Sequence, residues 1–267
     1  MRTRFIYKLG NSLYVPLTSR CNSLTLPQLR GEGFELPTSV VAALCRVRDA
    51  ELHGYGGDKG SDEEKWYLDD CNSRDLSPKM KLPSPPFESV SSLPSLDSER
   101  EPKLDDLLEE IRQLFQEEQT IESIVISGEG EPTLRLDDTI ELIQRIKTFA
   151  DSLSGENSPP AIRLTTNGLV PASTPSLPQT LYDSGVSNIS VGLMTWNADQ
   201  YNDLVKPLLP NAFETVCSFI RDAVNVDGDL GIETTAVDRT DVDKSKTEAL
   251  AVSLGVTKPV RWRPYFP

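Results

Sequence analysis

The stretch Ile124-Val125-Ile126-Ser127-Gly128-Glu129-Gly130-Glu131-Pro132-Thr133-Leu134 decides how the rest of the chain is read. A short run of Ile and Val that stops at a glycine-rich turn has the composition of a buried strand. Gly128 and Gly130 carry no Cβ, so the backbone there can come close to a ligand. Pro132 fixes the exit angle of the chain, and Glu131 sets a carboxylate beside that backbone. Such a turn suits a small ligand carrying an ammonium group. It makes a poor phosphate cradle, because Glu129 and Glu131 would repel an anion. The plainer alternative is a strand-to-helix turn whose acids are solvated.

Outward from this turn the pattern is regular. Upstream, residues 5–17 read as extended, with a hairpin around Leu9-Gly10-Asn11-Ser12. Pro37-Thr38-Ser39 opens a helix through Val40, Val41, Leu44, Val47 and Leu52. Leu104, Leu107, Leu108, Ile111 and Leu114 make an amphipathic helix with acids in its first turn. After the strand at 121–127, strands are expected at 162–166, 188–193, 230–237 and 260–263. Helices are expected at 137–152, 177–184, 198–205, 212–226 and 243–254. Counting the first extended segment, six strands alternate with helices. That order predicts an α/β fold, a partial, six-stranded β/α barrel of TIM type with parallel strands.

Residues 58–103 break the pattern. They are acidic around Asp62-Glu63-Glu64, then rich in Ser and Pro. Such a segment buries too little apolar surface to offset the entropy of ordering it, so it reads as a long disordered insertion after the first helix. The chain therefore divides into 1–57 (first strand, following loop and first helix), the insertion 58–103, and the remainder of the barrel over 104–267. The acidic insertion is a candidate surface for a protein partner.

Composition narrows the function classes. The chain has 267 residues, 37% hydrophobic and 25% charged, with a net charge of -14. No basic stripe is visible, which argues against a nucleic-acid partner. No apolar run is long enough to span a bilayer, and no signal-peptide pattern opens the chain, so no membrane association and an intracellular, cytoplasmic location are expected. The four cysteines, Cys21, Cys45, Cys71 and Cys217, form no CxxC pair. Cys45 and Cys217 sit in helical apolar patterns and read as core thiols. The single histidine, His53, reads as a helix-terminal residue.

In parallel β/α folds, ligands gather at the carboxyl ends of the strands. Those ends hold Glu131, Thr166-Asn167-Gly168, Met194-Thr195 and Asp238. Each alone also reads as turn chemistry.

Taken together, these positions resemble a radical S-adenosylmethionine (radical SAM) enzyme domain, nearest to the radical SAM proteins associated with TatD-type nucleases. Leu13-Tyr14-Val15-Pro16-Leu17-Thr18-Ser19-Arg20-Cys21-Asn22 resembles the first strand and the start of the cluster loop. Gly128-Glu129-Gly130-Glu131-Pro132 resembles the motif that binds the methionyl amino group. Thr165-Thr166-Asn167-Gly168 is similar to the third strand end. Ile189-Ser190-Val191-Gly192-Leu193 is similar to the fourth, where ribose contacts are expected. Val260-Arg261-Trp262-Arg263-Pro264-Tyr265 is similar to the sixth, whose backbone lies near adenine. The resemblance implies a cofactor site made of Gly128, Glu129, Gly130, Glu131, Pro132, Thr166, Asn167, Ser190 and Gly192, with S-adenosylmethionine as its ligand.

One departure governs what the resemblance implies about chemistry. The family holds a four-iron cluster on three cysteines spaced CxxxCxxC. Here Cys21 is followed by Thr25 and Gln28. A hydroxyl and an amide replace thiolates poorly on iron, so Cys21 reads as a remnant metal ligand and no iron–sulfur cluster is expected. Three readings stay open. The first is a radical-SAM-like protein with a residual adenosylmethionine-type pocket. The second is an active radical enzyme with atypical ligation, and the third is a non-catalytic scaffold or interaction protein. A separate class, magnesium held by Glu131, Asp137, Asp138 and Asp238, competes with the reading of Asp137 and Asp138 as helix-start acids.

Overall fold

The computed structural model describes residues 6–18, 21–23, 101–117, 121–127, 130–153, 159–170 and 176–264. The expected first helix, most of the insertion, His53, Cys45, Cys71, Gly128 and Glu129 lie outside these residues.

A hairpin opens the sheet. Strands β1 (Tyr7–Leu9) and β2 (Ser12–Val15) pair antiparallel, with Leu9 opposite Ser12. Gly10 takes the first corner of the two-residue turn at φ 58°, a backbone region that glycine enters without a Cβ penalty. Five more strands follow: β3 (Ser123–Ile126), β4 (Ala161–Thr166), β5 (Asn188–Met194), β6 (Gly231–Asp238) and β7 (Arg261–Pro264). They pair in sequence order, and β2 through β7 are parallel. The expected six-stranded parallel partial barrel is the fold observed, alternating strand and helix.

The two faces of the sheet differ in chemistry. One hydrogen-bonded row runs Val15, Ile126, Leu164, Ile189, Ile232 across five strands. All five side chains are buried, and row partners share a face. Helices α1 (Leu104–Glu117), α2 (Leu136–Leu153), α3 (Leu177–Ser184), α4 (Ala198–Val205), α5 (Ala212–Val224) and α6 (Lys244–Ser253) connect the strands. Their apolar stripes join this face in one core: Leu107 and Ile111, Leu142 and Ile146, Leu181, Val216 and Ile220. The alternate residues, Tyr14, Arg163, Thr165, Ser190, Glu233, Arg261 and Arg263, form a polar second face.

The polar face is the concave one. The Tyr14 side chain on β2 lies within electrostatic range of the Arg263 guanidinium on β7. In a flat sheet these strands would stand roughly 24 Å apart, five inter-strand steps. The sheet therefore curls, polar face inward, and the stagger between rows is what strand tilt in a barrel produces.

Local chemistry sets the helix starts. Asp243 caps α6 by accepting from the Lys246 amide, and Asn197 caps α4 by accepting from Gln200. Pro132 opens a short 3-10 turn, Pro132–Arg135, that runs directly into α2. At the other limit of the insertion, Glu101 is ordered and 8% exposed. It accepts from Thr18 Oγ1 at 2.6 Å and pairs with Arg135 Nε at 3.1 Å. Arg135 Nη1 also donates to Leu17 O at 2.6 Å. The last residues of the expected insertion thus pack with the barrel rather than apart from it, where the Glu101 carboxylate offsets the cost of burying the Arg135 guanidinium.

Candidate functional site

Glu131 is the centre of the strand-end cluster. Its residue is 1% exposed. Oε1 accepts from Thr133 N at 3.1 Å, Thr133 Oγ1 at 2.8 Å and Thr166 Oγ1 at 2.7 Å. Oε2 accepts from the Asn167 backbone amide at 2.7 Å. Burial pushes this carboxyl above its ordinary value, and the four donated bonds pull the other way. A carboxylate offers about two acceptor positions per oxygen, so Oε1 is filled and Oε2 keeps one.

Asn167 extends the cluster to the loop after β2. Its Nδ2 donates to Asn22 Oδ1 at 2.6 Å and reaches Cys21 Sγ at 3.8 Å. Its Oδ1 accepts from the Leu169 amide at 2.9 Å, and Asn22 Nδ2 returns a bond to Leu169 O at 2.8 Å. Gly168 holds φ 71° in this turn, and its amide donates to Thr166 Oγ1 at 3.0 Å. Gly130 N, from the glycine turn, donates to Thr18 O at 3.0 Å. Ser23 Oγ donates to Val205 O, and Ser23 bridges to Pro207. The Cys21 loop is thereby tied to three strand ends and to the segment after α4.

The Cys21 thiol is pushed up to about 12, first by burial and then by the Glu131 charge. The residue is half-buried, and its sulfur is largely withdrawn from water. Tyr201 on α4 is fully buried, and its hydroxyl has no hydrogen-bond partner among the described residues. Burial raises the phenol, with Cys217, Glu131 and Cys21 adding in that order. Cys217 is buried in α5, as its apolar spacing predicts.

The structure therefore brings Glu131, Thr166, Asn167 and Cys21 together, with Pro132 and Gly130 on the flanks. They meet by bonding one another. The register puts Thr166 in the row of Val191, on the helix-facing side, so the Glu131 carboxylate is a clamp at the rim between sheet and helices. Gly192 adjoins the cluster: a Cβ there would lie 3.8 Å from Asn167 Cα and 2.7 Å from Met194 Cε. The Met194 side chain folds back over Gly192 from a residue at φ 64°, where the ladder shifts register. Ser190 lies two positions below on the concave face, buried with a hydroxyl that has no hydrogen-bond partner among the described residues. Asp138 pairs with Arg135, and Asp238 with Lys244. Among the described residues no three His, Cys, Asp or Glu side chains converge as a metal site.

Sequence reasoning passed over three features. Tyr201 gave only an apolar-periodic signal, which hides a hydroxyl. The Glu101–Arg135 pair joins positions with no local pattern between them. Arg261 and Arg263 did carry a signal: residues two apart flanking Trp262 in a strand must share a face.

No helix among the described residues is long and apolar enough to cross a membrane. No family model matches the sequence, and no curated protein is found similar to it.

Proposed function

We propose that this chain is a radical-SAM-like half-barrel that binds an S-adenosylmethionine-type ligand at its strand ends without radical chemistry. The supporting observation is the convergence of Glu131, Thr166, Asn167 and Cys21 at the carboxyl ends of parallel strands, the place where such folds bind ligands. In this reading Oε2 of Glu131 receives the ligand ammonium, and Thr166 and Asn167 fix that carboxylate. Gly130 carries no Cβ to keep a ligand away from its backbone, and Ser190 offers a ribose oxygen a hydroxyl that no described residue engages.

The donor set does not fit an iron–sulfur cluster. Ligation needs thiolates, and the loop supplies Cys21 with Thr25 and Gln28 at the other two places.

The saturated Oε1 favours a second reading, a scaffold in which Glu131 only locks strand ends. Calorimetric titration of the full chain with S-adenosylmethionine separates the two. Saturable heat, competed by S-adenosylhomocysteine, supports the pocket. No heat from folded protein leaves the scaffold.

A further inference from the structure

We propose that Arg263, with Arg261 beside it, forms an oxyanion site on the concave face near the carboxyl end of β7, taking the phosphate or carboxylate group of a small molecule. The two arginines stand two residues apart in one strand, so they project from one face. Their row partners are Val237 and Thr235 on β6, and curvature brings Tyr14 of β2 toward Arg263 from the far side of the sheet.

Arg263 differs from the other inward or half-buried arginines. Arg163 pairs with Glu233 at 3.1 Å, Arg135 with Glu101 at 3.1 Å, and Arg239 with Asp241. Lys258 also reaches Glu233 at 3.2 Å. Arg263 has no hydrogen bond or ion pair with any described residue, although the chain holds 41 acidic residues against 27 basic ones. A carboxylate was the commonest partner on offer, yet among the described residues none pairs with Arg263, and Glu233 on the same face is taken by Arg163 and Lys258.

Burial holds this guanidinium below the usual arginine value, and the like charge of Arg261 adds to the effect. An unpaired, partly desolvated cation is costly, and a bidentate oxyanion is the partner its planar fork fits. The net charge of -14 repels extended polyanions, so the fit is to a small molecule entering the concavity. This proposal goes beyond adenosylmethionine binding and stands without it.

The test uses the full chain and inorganic phosphate, at constant ionic strength in chloride, with no adenosylmethionine present. Phosphorus NMR should show saturable line broadening. Arg263→Gln should abolish it, Arg261→Gln should bind about tenfold more weakly, and Arg221→Gln, on exposed α5 surface, should match the wild type. Displacement by malonate extends the site to carboxylates, whereas its failure confines the site to phosphates. Circular dichroism checks that each variant is folded. Folded wild type that does not broaden the resonance overturns the proposal. So does undiminished binding by Arg263→Gln or, should that variant not fold, by exposed Arg261→Gln.

Discussion

The Asn167 amide donates to Glu131 Oε2 at 2.7 Å across 36 positions of sequence. This bond fastens the end of β4 to the turn after β3. Through Asn167 Nδ2 and Asn22 it also fastens the loop after β2. Two neighbouring strand ends thus share one buried acceptor, and Asn167 links the third to it.

Removing that acceptor leaves buried donors unsatisfied. Glu131→Ala is expected to cost about 3 kcal/mol of stability. Glu131→Gln, which keeps one carbonyl oxygen for Thr166 or Asn167, should cost about half of that. Urea unfolding of both variants measures the difference, and equal losses would show that packing, not hydrogen bonding, sets the cost.

Titration of the same carboxyl gives a pH signature. Its folded value lies above the ordinary 4.5, so the native state holds the proton more tightly than the unfolded chain. That contribution to stability is complete below 4.5 and is lost as pH rises through the folded value. The stability of wild type minus that of Glu131→Gln should therefore fall with rising pH above 4.5. A difference that climbs instead would mean that the four donors outweigh burial.

Cys21 should be a slow nucleophile. With its thiol near 12, the rate of alkylation by iodoacetamide in folded protein should rise about tenfold per pH unit with no plateau below pH ~10. Glu131→Gln removes the second cause of the shift, so its Cys21 should react faster at every pH in that range. A plateau near pH 8 in the wild type would contradict the burial of the sulfur.

Gly168 has no room for a side chain. Its φ is 71°, and a Cβ would stand 3.0 Å from both Val191 Cγ1 and Val216 Cγ2. Gly168→Ala should lower stability by about 2 kcal/mol through backbone strain and overpacking. Thermal melts decide this, and a loss below a few tenths would mean that the α5 contact yields.

Arg263→Met should raise stability by about 1 kcal/mol, because it removes a cation that no described residue compensates. Chemical denaturation in chloride without phosphate is the measurement. A loss of stability would assign Arg263 a structural partner instead of a ligand.

Most of the element order was legible because it rests on local periodicity. The short helix at 177–184 and the helix at 198–205 emerge with the expected bounds, and the Gly10-Asn11 turn specifies its hairpin from two residues. What escaped depends on partners far away in sequence. The register shift between Gly192 and Met194 coincides with the Met194 side chain folding back over Gly192, which no strand pattern encodes. Glu101 reads as part of a polar insertion until Arg135 and Thr18 are seen around it. In the site, the grouping of Glu131 with Thr166 and Asn167 was foreseeable from their strand-end positions. That these groups would consume one another's hydrogen-bonding capacity was not, because residue type gives chemistry but not direction.

The row order from β1 to β7 leaves β7 paired only with β6 among the described residues. A bare strand rim invites a second molecule to extend the sheet, the route to self-association. Here that rim carries Arg261 and Arg263 and finishes on Pro264, which has no amide hydrogen to offer an incoming strand. The same two charges that face the concavity therefore also discourage copies of the chain from stacking edge to edge.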